Sequence, residues 1–303
     1  MHSRSVKTAV LIVNPFATRV TDQKLEAVER ELSRVVKLTV VTTERPRHAI
    51  ELVQRASRDG NADAIVVFSG DGGFNEALNG LEGDTPIAFL PGGGTSVLPR
   101  ALGLPHEPVA AARQVAEALE RNRTRRITVG SVNGRRFAFS AGVGLDAAAV
   151  RRVDEMGRAQ DGKRPGDMAF ALAIVRVLAA QRGHLEPALE VKGFGRAAFA
   201  FVANAYPYSY AKRLPLRIAP EADFALGLDL VAPVRVRRRS IVRTAYGVLA
   251  GHHFRSGMLY AHDADLLEIV CDRPMPLQVD GEDLGDVEAA TFEAERGAVT
   301  VLT

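Results

Sequence analysis

Two glycine-dense turns constrain this chain more than any other feature: Ser69-Gly70-Asp71-Gly72-Gly73 and Pro91-Gly92-Gly93-Gly94-Thr95-Ser96. They follow the short apolar runs Ala62–Phe68 and Pro86–Leu90, and the first leads into a helix-like stretch. Similar runs stand at Thr8–Val13 and Leu38–Thr42, with helical patterns between them. Asp22 is placed to cap one helix, with Leu25, Val28, Leu32 and Val36 inward. Pro46 suits the first position of another, with Ile50 and Val53 inward, and Glu107–Asn122 gives one more. Strands alternating with helices predict a parallel sheet covered on both faces. Ligands of such sheets bind at the carboxyl ends of the strands, where these turns lie.

Glycine lets main-chain N–H groups approach an anion closely, and a helix N-terminus favours negative charge. Two such loops on neighbouring strands predict a cradle for polyphosphate. Asp71 would repel phosphate unless a divalent cation lay between them, which points to Mg²⁺. A single Gly-Asp-Gly is an ordinary tight turn; two glycine-dense loops at adjacent strand ends are what favour a ligand. Strand one ends in Asn14-Pro15-Phe16-Ala17, so the dinucleotide fingerprint G-x-G-x-x-G is absent, as is the Walker P-loop.

The pattern changes near Arg125. RRITVGSVNGRRFAFSAGVG reads as two β-runs joined by Asn133-Gly134, a strong hairpin signal. Further strands are expected at Ala197–Ala203, Leu228–Val231, Leu266–Cys271, Leu277–Val279, Val287–Phe292 and Val299–Leu302. Helical stretches are expected around Met168–Gln181 and Ser240–Ala250. The expected fold is therefore a Rossmann-like α/β domain over residues 1–124 and a mainly antiparallel β-sandwich over 125–303, the last strand packing back on the first domain. The default ligand site is the cleft between them.

With 303 residues, 47% of them hydrophobic, the chain can fill two moderate cores. A net charge of +3 suits anionic ligands or an anionic membrane surface. One cysteine, Cys271, excludes an internal disulfide and a cysteine-rich zinc site; it reads as a buried structural thiol in a reducing cytoplasm. The N-terminal segment lacks the long apolar region of a signal peptide. The most apolar stretch, MAFALAIVRVLAAQ from Met168, is interrupted by Arg176 and falls short of the ~20 residues of a membrane span.

Taken together, NPFA (14–17), SGDGGFNE (69–76), LPGGGTSVLPRALGLP (90–105), AGVGLDA (141–147) and VDGEDLG (279–285) resemble the diacylglycerol kinase catalytic-domain superfamily of lipid kinases, which includes sphingosine kinases. The likeness runs over nearly the whole chain, with the motifs in family order. It implies Mg²⁺-dependent transfer of the γ-phosphoryl group of ATP to a lipid hydroxyl, diacylglycerol being the leading acceptor class. By position it implies nucleotide contacts from Asn14, Pro15, Thr43, Gly70, Asp71, Gly72, Gly73, Gly93, Gly94, Thr95 and Ser96, with Glu76 ordering the loop or a metal-bound water. Asp280 is implied as general base and Glu282 as a ligand in the Mg²⁺ network. The chain departs from the family at Gly73 (usually threonine), Ser96 (usually asparagine) and Pro99. The acidic cluster that holds a structural Mg²⁺ in some members is reduced to EADFALGLD, leaving Asp223 and Asp229 as its candidates.

The resemblance makes a lipid at a membrane surface the partner, with no nucleic acid, and puts the protein in the cytoplasm or on the inner membrane face; a homodimer is compatible. The apolar faces of the Met168–Gln181 stretch, with Leu172, are expected beside the acyl-chain cleft. Arg235, Arg237, Arg238, Arg239 and Arg243 are expected to meet anionic headgroups, each near-surface charge contributing ~1 kcal/mol. His252-His253 lacks partners at metal-ligand spacing and reads as loop. Two other functions stay open: an NAD kinase-like enzyme with a similar Gly-Asp-Gly loop, and a nucleotide- or lipid-binding regulator without turnover, to which Gly73 and Ser96 point.

Overall fold

In the computed structural model the described residues are 7–58, 60, 62–157, 173, 176–177, 183–207, 210–211, 214–215, 217–238 and 257–303. The chain divides into two compact units, Met1–Ile127 with Gly297–Thr303, and Thr128–Arg296. Most of the Met168–Gln181 and all of the Ser240–Ala250 stretches lie outside the described residues, as do Arg239, Arg243 and His252-His253.

In the first unit β1 (Thr8–Val13), α1 (Asp22–Ser33), β2 (Lys37–Thr42), α2 (His48–Arg58), β3 (Ala64–Ser69), α3 (Asp71–Gly80) and β4 (Ile87–Pro91) alternate, followed by α4 (Val97–Ala101) and α5 (Pro108–Arg121). β1 pairs in parallel with β2 and β3, and β3 with β4. Every residue of β3 and β4 is buried, as expected of strands covered on both faces. Val28 and Leu32 of α1 and Ala111, Val115 and Leu119 of α5 pack on Leu11, Val66, Phe68 and Leu90. α3 adds Phe74, edge-on to Phe89 at a centroid separation of 5.3 Å. Each such fully buried Val, Leu, Ile or Phe side chain contributes about 1.5–3 kcal/mol relative to exposure.

Two helix starts differ from expectation. Thr21, not Asp22, caps α1, its Oγ1 accepting from the Lys24 amide at 3.4 Å; Asp22 takes the first helical position, where its charge suits the helix dipole. Pro46 stands outside α2, because Arg47 adopts φ 66°, a left-handed conformation that breaks the helix before His48.

The strand β5 (Thr124–Val132) leads into the second unit, where β6 (Arg135–Phe137), β7 (Ser140–Val143) and α6 (Leu145–Gly157) follow. Asn133 and Gly134 turn β5 into β6 with φ 48° and 81°, the backbone that an Asn-Gly hairpin supplies. Then come β8 (Leu189–Val191), β9 (Gly195–Ala197), β10 (Ala200–Ala203), β11 (Tyr210–Ala211), β12 (Leu214–Pro215), β13 (Leu228–Pro233), β14 (Met258–Ala264), β15 (Leu266–Val279) and β16 (Glu282–Leu302). The order β14-β13-β10-β7-β15-β16 is antiparallel throughout. What the sequence suggests as four short strands in the last forty residues is one long hairpin, β15 and β16. Its register shifts between Val270 and Met275, so Pro274 and Pro276 are accommodated within an irregular stretch. Phe137, Leu189, Val202, Leu230, Ile269, Leu277 and Phe292 lie in the core of this unit. The final residues, 297–303, return to the first unit, where Val301 pairs in parallel with Ile87 of β4.

Candidate functional site

The carboxyl ends of β1, β2, β3 and β4 are level: Val13 stands opposite Thr42 and Phe68, and Ser69 opposite Pro91. The ladder continues one residue beyond them. The Asn14 amide donates to the Phe68 carbonyl at 3.0 Å, the Thr43 amide to Val13 at 2.8 Å, and the Gly92 amide to Ser69 at 2.6 Å. Asn14, Thr43, Gly70 and Gly92 are thereby set side by side at one sheet edge. Asn14 also folds its Oδ1 back to accept from the Phe16 amide at 3.0 Å, which fixes the loop through exposed Pro15.

The two glycine loops touch through bare backbone. A Cβ on Gly93 would lie 2.9 Å from the Gly70 Cα, a distance that real Cβ contacts avoid. A Cβ on Gly72 or Gly94 would instead meet open space, so there the main chain faces outward. Gly70 caps α3 with no side-chain hydrogen bond, leaving the first-turn amides of the helix directed at this edge. Asp71, half-buried in that first turn, crosses between the loops: its Oδ1 accepts from the Leu98 amide of α4 at 3.3 Å.

Gly73 has a local cause. A Cβ there would lie 2.1 Å from Ser69 Oγ, so a side chain at 73 would force Ser69 to move. The Ser69 hydroxyl is buried and has no hydrogen-bond partner. Ser96 is fully buried at φ 48°, and its Oγ accepts from the Gly93 amide (3.2 Å) and donates to the Gly93 carbonyl (3.1 Å). That hydrogen is engaged inside the loop; neighbouring Thr95 is half-buried. Glu76 reaches away from the glycines, its two oxygens accepting from the amides of Arg47 (2.9 Å) and Ala49 (3.3 Å), which pins the start of α2.

Asp280 and Gly281 form the two-residue turn of the β15–β16 hairpin, both with positive φ (47° and 79°). Asp280 is nonetheless no solvated turn residue: it is 5% exposed. Its Oδ2 accepts from the Ala138 amide at 2.7 Å, and its Oδ1 from Phe139 and Ser140 at 3.0 and 3.2 Å. Glu282 is half exposed and pairs with Arg135 at 2.8 Å. Arg151 of α6 clamps Asp283 and Asp286 at 2.8 and 2.7 Å, and hydrogen bonds to these carboxylates push its guanidinium above its ordinary pKa. Neither Arg135 nor Arg151 could be found from local pattern, because their partners lie over 130 residues away.

The residues at the sheet edge fit ATP with Mg²⁺: a Cβ would fill part of the cradle, and kinase Mg²⁺ is commonly held by one or two carboxylates plus substrate phosphates. The structural Mg²⁺ site is a different case. Asp223 is exposed, and its Oδ1 accepts from the nearby Ala225 amide at 2.8 Å. Asp229 is fully buried, with Oδ1 2.8 Å from His262 Nδ1 and 3.2 Å from the Asp263 amide, and Oδ2 sealed without a partner. A hydrated Mg²⁺, which keeps several waters, has no room at such an atom. Among the described residues no group of three or more His, Cys, Asp or Glu side chains could hold a metal. Among them, too, no helix is long and apolar enough to cross a membrane.

Comparison with known proteins bears on the family and the fold. Residues 8–132 match the model of the diacylglycerol kinase catalytic domain, and residues 139–303 that of the YegS C-terminal NAD kinase beta sandwich-like domain. A diacylglycerol kinase of Bacillus subtilis (strain 168) is 25% identical over 292 residues, 91% of this chain and 90% of that protein. A protein of Streptococcus pneumoniae serotype 4 (strain ATCC BAA-334 / TIGR4) that carries a provisional lipid kinase name is 28% identical over 156 residues; the match spans about half of each, 49% of this chain and 51% of that protein. The crystal structure of a diacylglycerol kinase from Bacillus anthracis str. Sterne shares the fold with a TM-score of 0.75 at 22% identity, over 98% of this chain and 96% of that one.

Proposed function

Because this chain belongs to the diacylglycerol kinase superfamily of phosphotransferases, we propose that it transfers the γ-phosphoryl group of ATP to a lipid hydroxyl, diacylglycerol being the first acceptor to test. The observation that carries the proposal is the pair of glycine loops joined at Gly70 and Gly93, with the open first turn of α3 between them. The amides of that turn and of the Gly92–Thr95 loop bind the phosphates, and Asp71 holds the accompanying Mg²⁺, which neutralises charge on the transferred group. Asn14 and Thr43, at the adjacent strand ends, hold the rest of the nucleotide. The motif resemblance gives Asp280 the role of base toward the lipid hydroxyl and Glu282 a role in the metal network. Phosphoryl transfer depends on positioning more than on covalent chemistry, and three backbone amides fix where the Asp280 carboxylate stands. The protein acts at the surface of the membrane that carries its substrate.

The sandwich model's likeness to NAD kinase favours one second reading, phosphorylation of NAD⁺. Both are tested by incubating the protein with γ-labelled ATP and Mg²⁺, offering diacylglycerol micelles, a fractionated lipid panel or NAD⁺. Label in the organic phase supports the lipid kinase. Label on NAD⁺ overturns it in favour of the second reading, and transfer to no acceptor leaves a nucleotide- or lipid-binding regulator.

A further inference from the structure

The run Ala141–Ala147 has no part in the chemistry above, yet its Asp146 meets Gln278, the side chain that holds the proposed catalytic turn. β7 and β15 pair antiparallel with Gly142 opposite Gln278. α6 begins just after β7, which puts Asp146 in its first turn, where a carboxylate is favoured by the helix dipole. Asp146 and Gln278 are both fully buried. Gln278 Nε2 donates to Asp146 Oδ2 at 2.8 Å, and Gln278 Oε1 accepts from the Gly281 amide, also at 2.8 Å. The side-chain amide is therefore held at both ends, and neither end tolerates a flip. Gly142 makes the arrangement possible, since a Cβ there would lie 2.0 Å from Asp146 Oδ2.

A two-residue Asp-Gly turn closes a hairpin unaided, and a buried polar chain is costly unless its members are satisfied. Hairpin formation alone thus gives no reason for this chain of contacts. We propose that Gly142, Asp146 and Gln278 form a positioning relay that fixes the Asp280–Gly281 turn and so the aim of the Asp280 carboxylate. The relay rests on the kinase reading, which makes Asp280 the base. Its members act through Gly281.

The test is reversal of one hydrogen bond. Q278E sets two carboxylates against each other at the Asp146 contact. D146N/Q278E restores a bond of opposite direction, with asparagine donating to glutamate while the other glutamate oxygen still accepts from Gly281. D146N alone keeps an acceptor for Gln278. Unfolding midpoints, kcat, and KM for ATP are measured for each protein. A displacement of about 1 Å at a reacting group can cost on the order of 10²-fold in rate, so Q278E is expected to lower kcat by about that factor with KM for ATP unchanged. The double variant is expected to recover most of the loss, and D146N to stay near wild type. If Q278E does not fold, D146N and the double variant carry the test, and both are expected to fold and turn over. A folded double variant with kcat still depressed, or a Q278E protein of wild-type kcat, overturns the relay alone. A wild-type protein without turnover on any acceptor overturns the kinase reading, and the relay with it.

Discussion

Alanine at position 73 would put a methyl group 2.1 Å from Ser69 Oγ and 2.9 Å from its Cβ, so one of the two must move. Overpacking of this kind costs about 1–3 kcal/mol. It is opposed by the intrinsic gain of glycine to alanine in a helix, roughly 0.5–1 kcal/mol. Gly73→Ala should therefore be neutral to destabilising by about 2 kcal/mol in the presence of Ser69. In a Ser69→Gly background the obstacle is gone, and the same substitution should stabilise. Ser69→Gly itself removes a buried hydroxyl without a partner, worth about 1–3 kcal/mol, against about 0.5–1 kcal/mol for glycine at the end of a strand. The four proteins form a double-mutant cycle with an expected coupling of about 1–3 kcal/mol, read from denaturant unfolding followed by circular dichroism. A coupling of zero, with Gly73→Ala stabilising equally in both backgrounds, would show that Ser69 is not what excludes a side chain at 73.

Other outcomes follow from the second unit. Asp280→Asn keeps one oxygen for Phe139 and Ser140 but turns an N–H group toward the Ala138 amide; the lost charged hydrogen bond predicts destabilisation by about 1.5–3 kcal/mol, and an unfolding midpoint equal to wild type would refute the clamp. Burial pushes the Asp229 carboxyl above its ordinary value, outweighing its contacts with the Asp263 amide and His262. A raised acid binds its proton more tightly folded than unfolded, so its contribution to stability is greatest below about pH 4 and declines as pH rises toward the folded value. Asp229→Asn should remove that decline; parallel curves of unfolding free energy against pH for the two proteins would contradict it.

Much of the architecture was legible in the chain because it depends on local period. The runs of β1, β3 and β4 are apolar at every position that a doubly covered strand must bury, and Asn133-Gly134 has the backbone its composition demands. The helix caps were less legible, since Thr21 and Asp22 can both accept from first-turn amides and their backbone angles decide between them. α6 escaped notice because its buried face, with Ala149, Val150 and Val153, begins inside a glycine-containing motif. The long β15–β16 hairpin escaped because Pro274 and Pro276 look like breaks until the irregular register is known. At the site, the glycine loops and Asp71 could be named from sequence. The reason for Gly73, the internal engagement of Ser96 and the contact of Gln278 with Asp146 could not, for each arises from atoms that the register of separate elements brings together.

The return of residues 297–303 to the first unit has a consequence for biogenesis. The nucleotide-type sheet is begun by the earliest residues to leave the ribosome, yet Val299 and Val301, both wholly buried, arrive only after the entire sandwich has been translated. Until then the edge of β4 away from β3 lacks its partner, and its hydrogen-bonding groups stay open to stray pairing. A nascent or truncated chain stopping short of Gly297 would therefore be prone to aggregate even with all of its glycine loops intact.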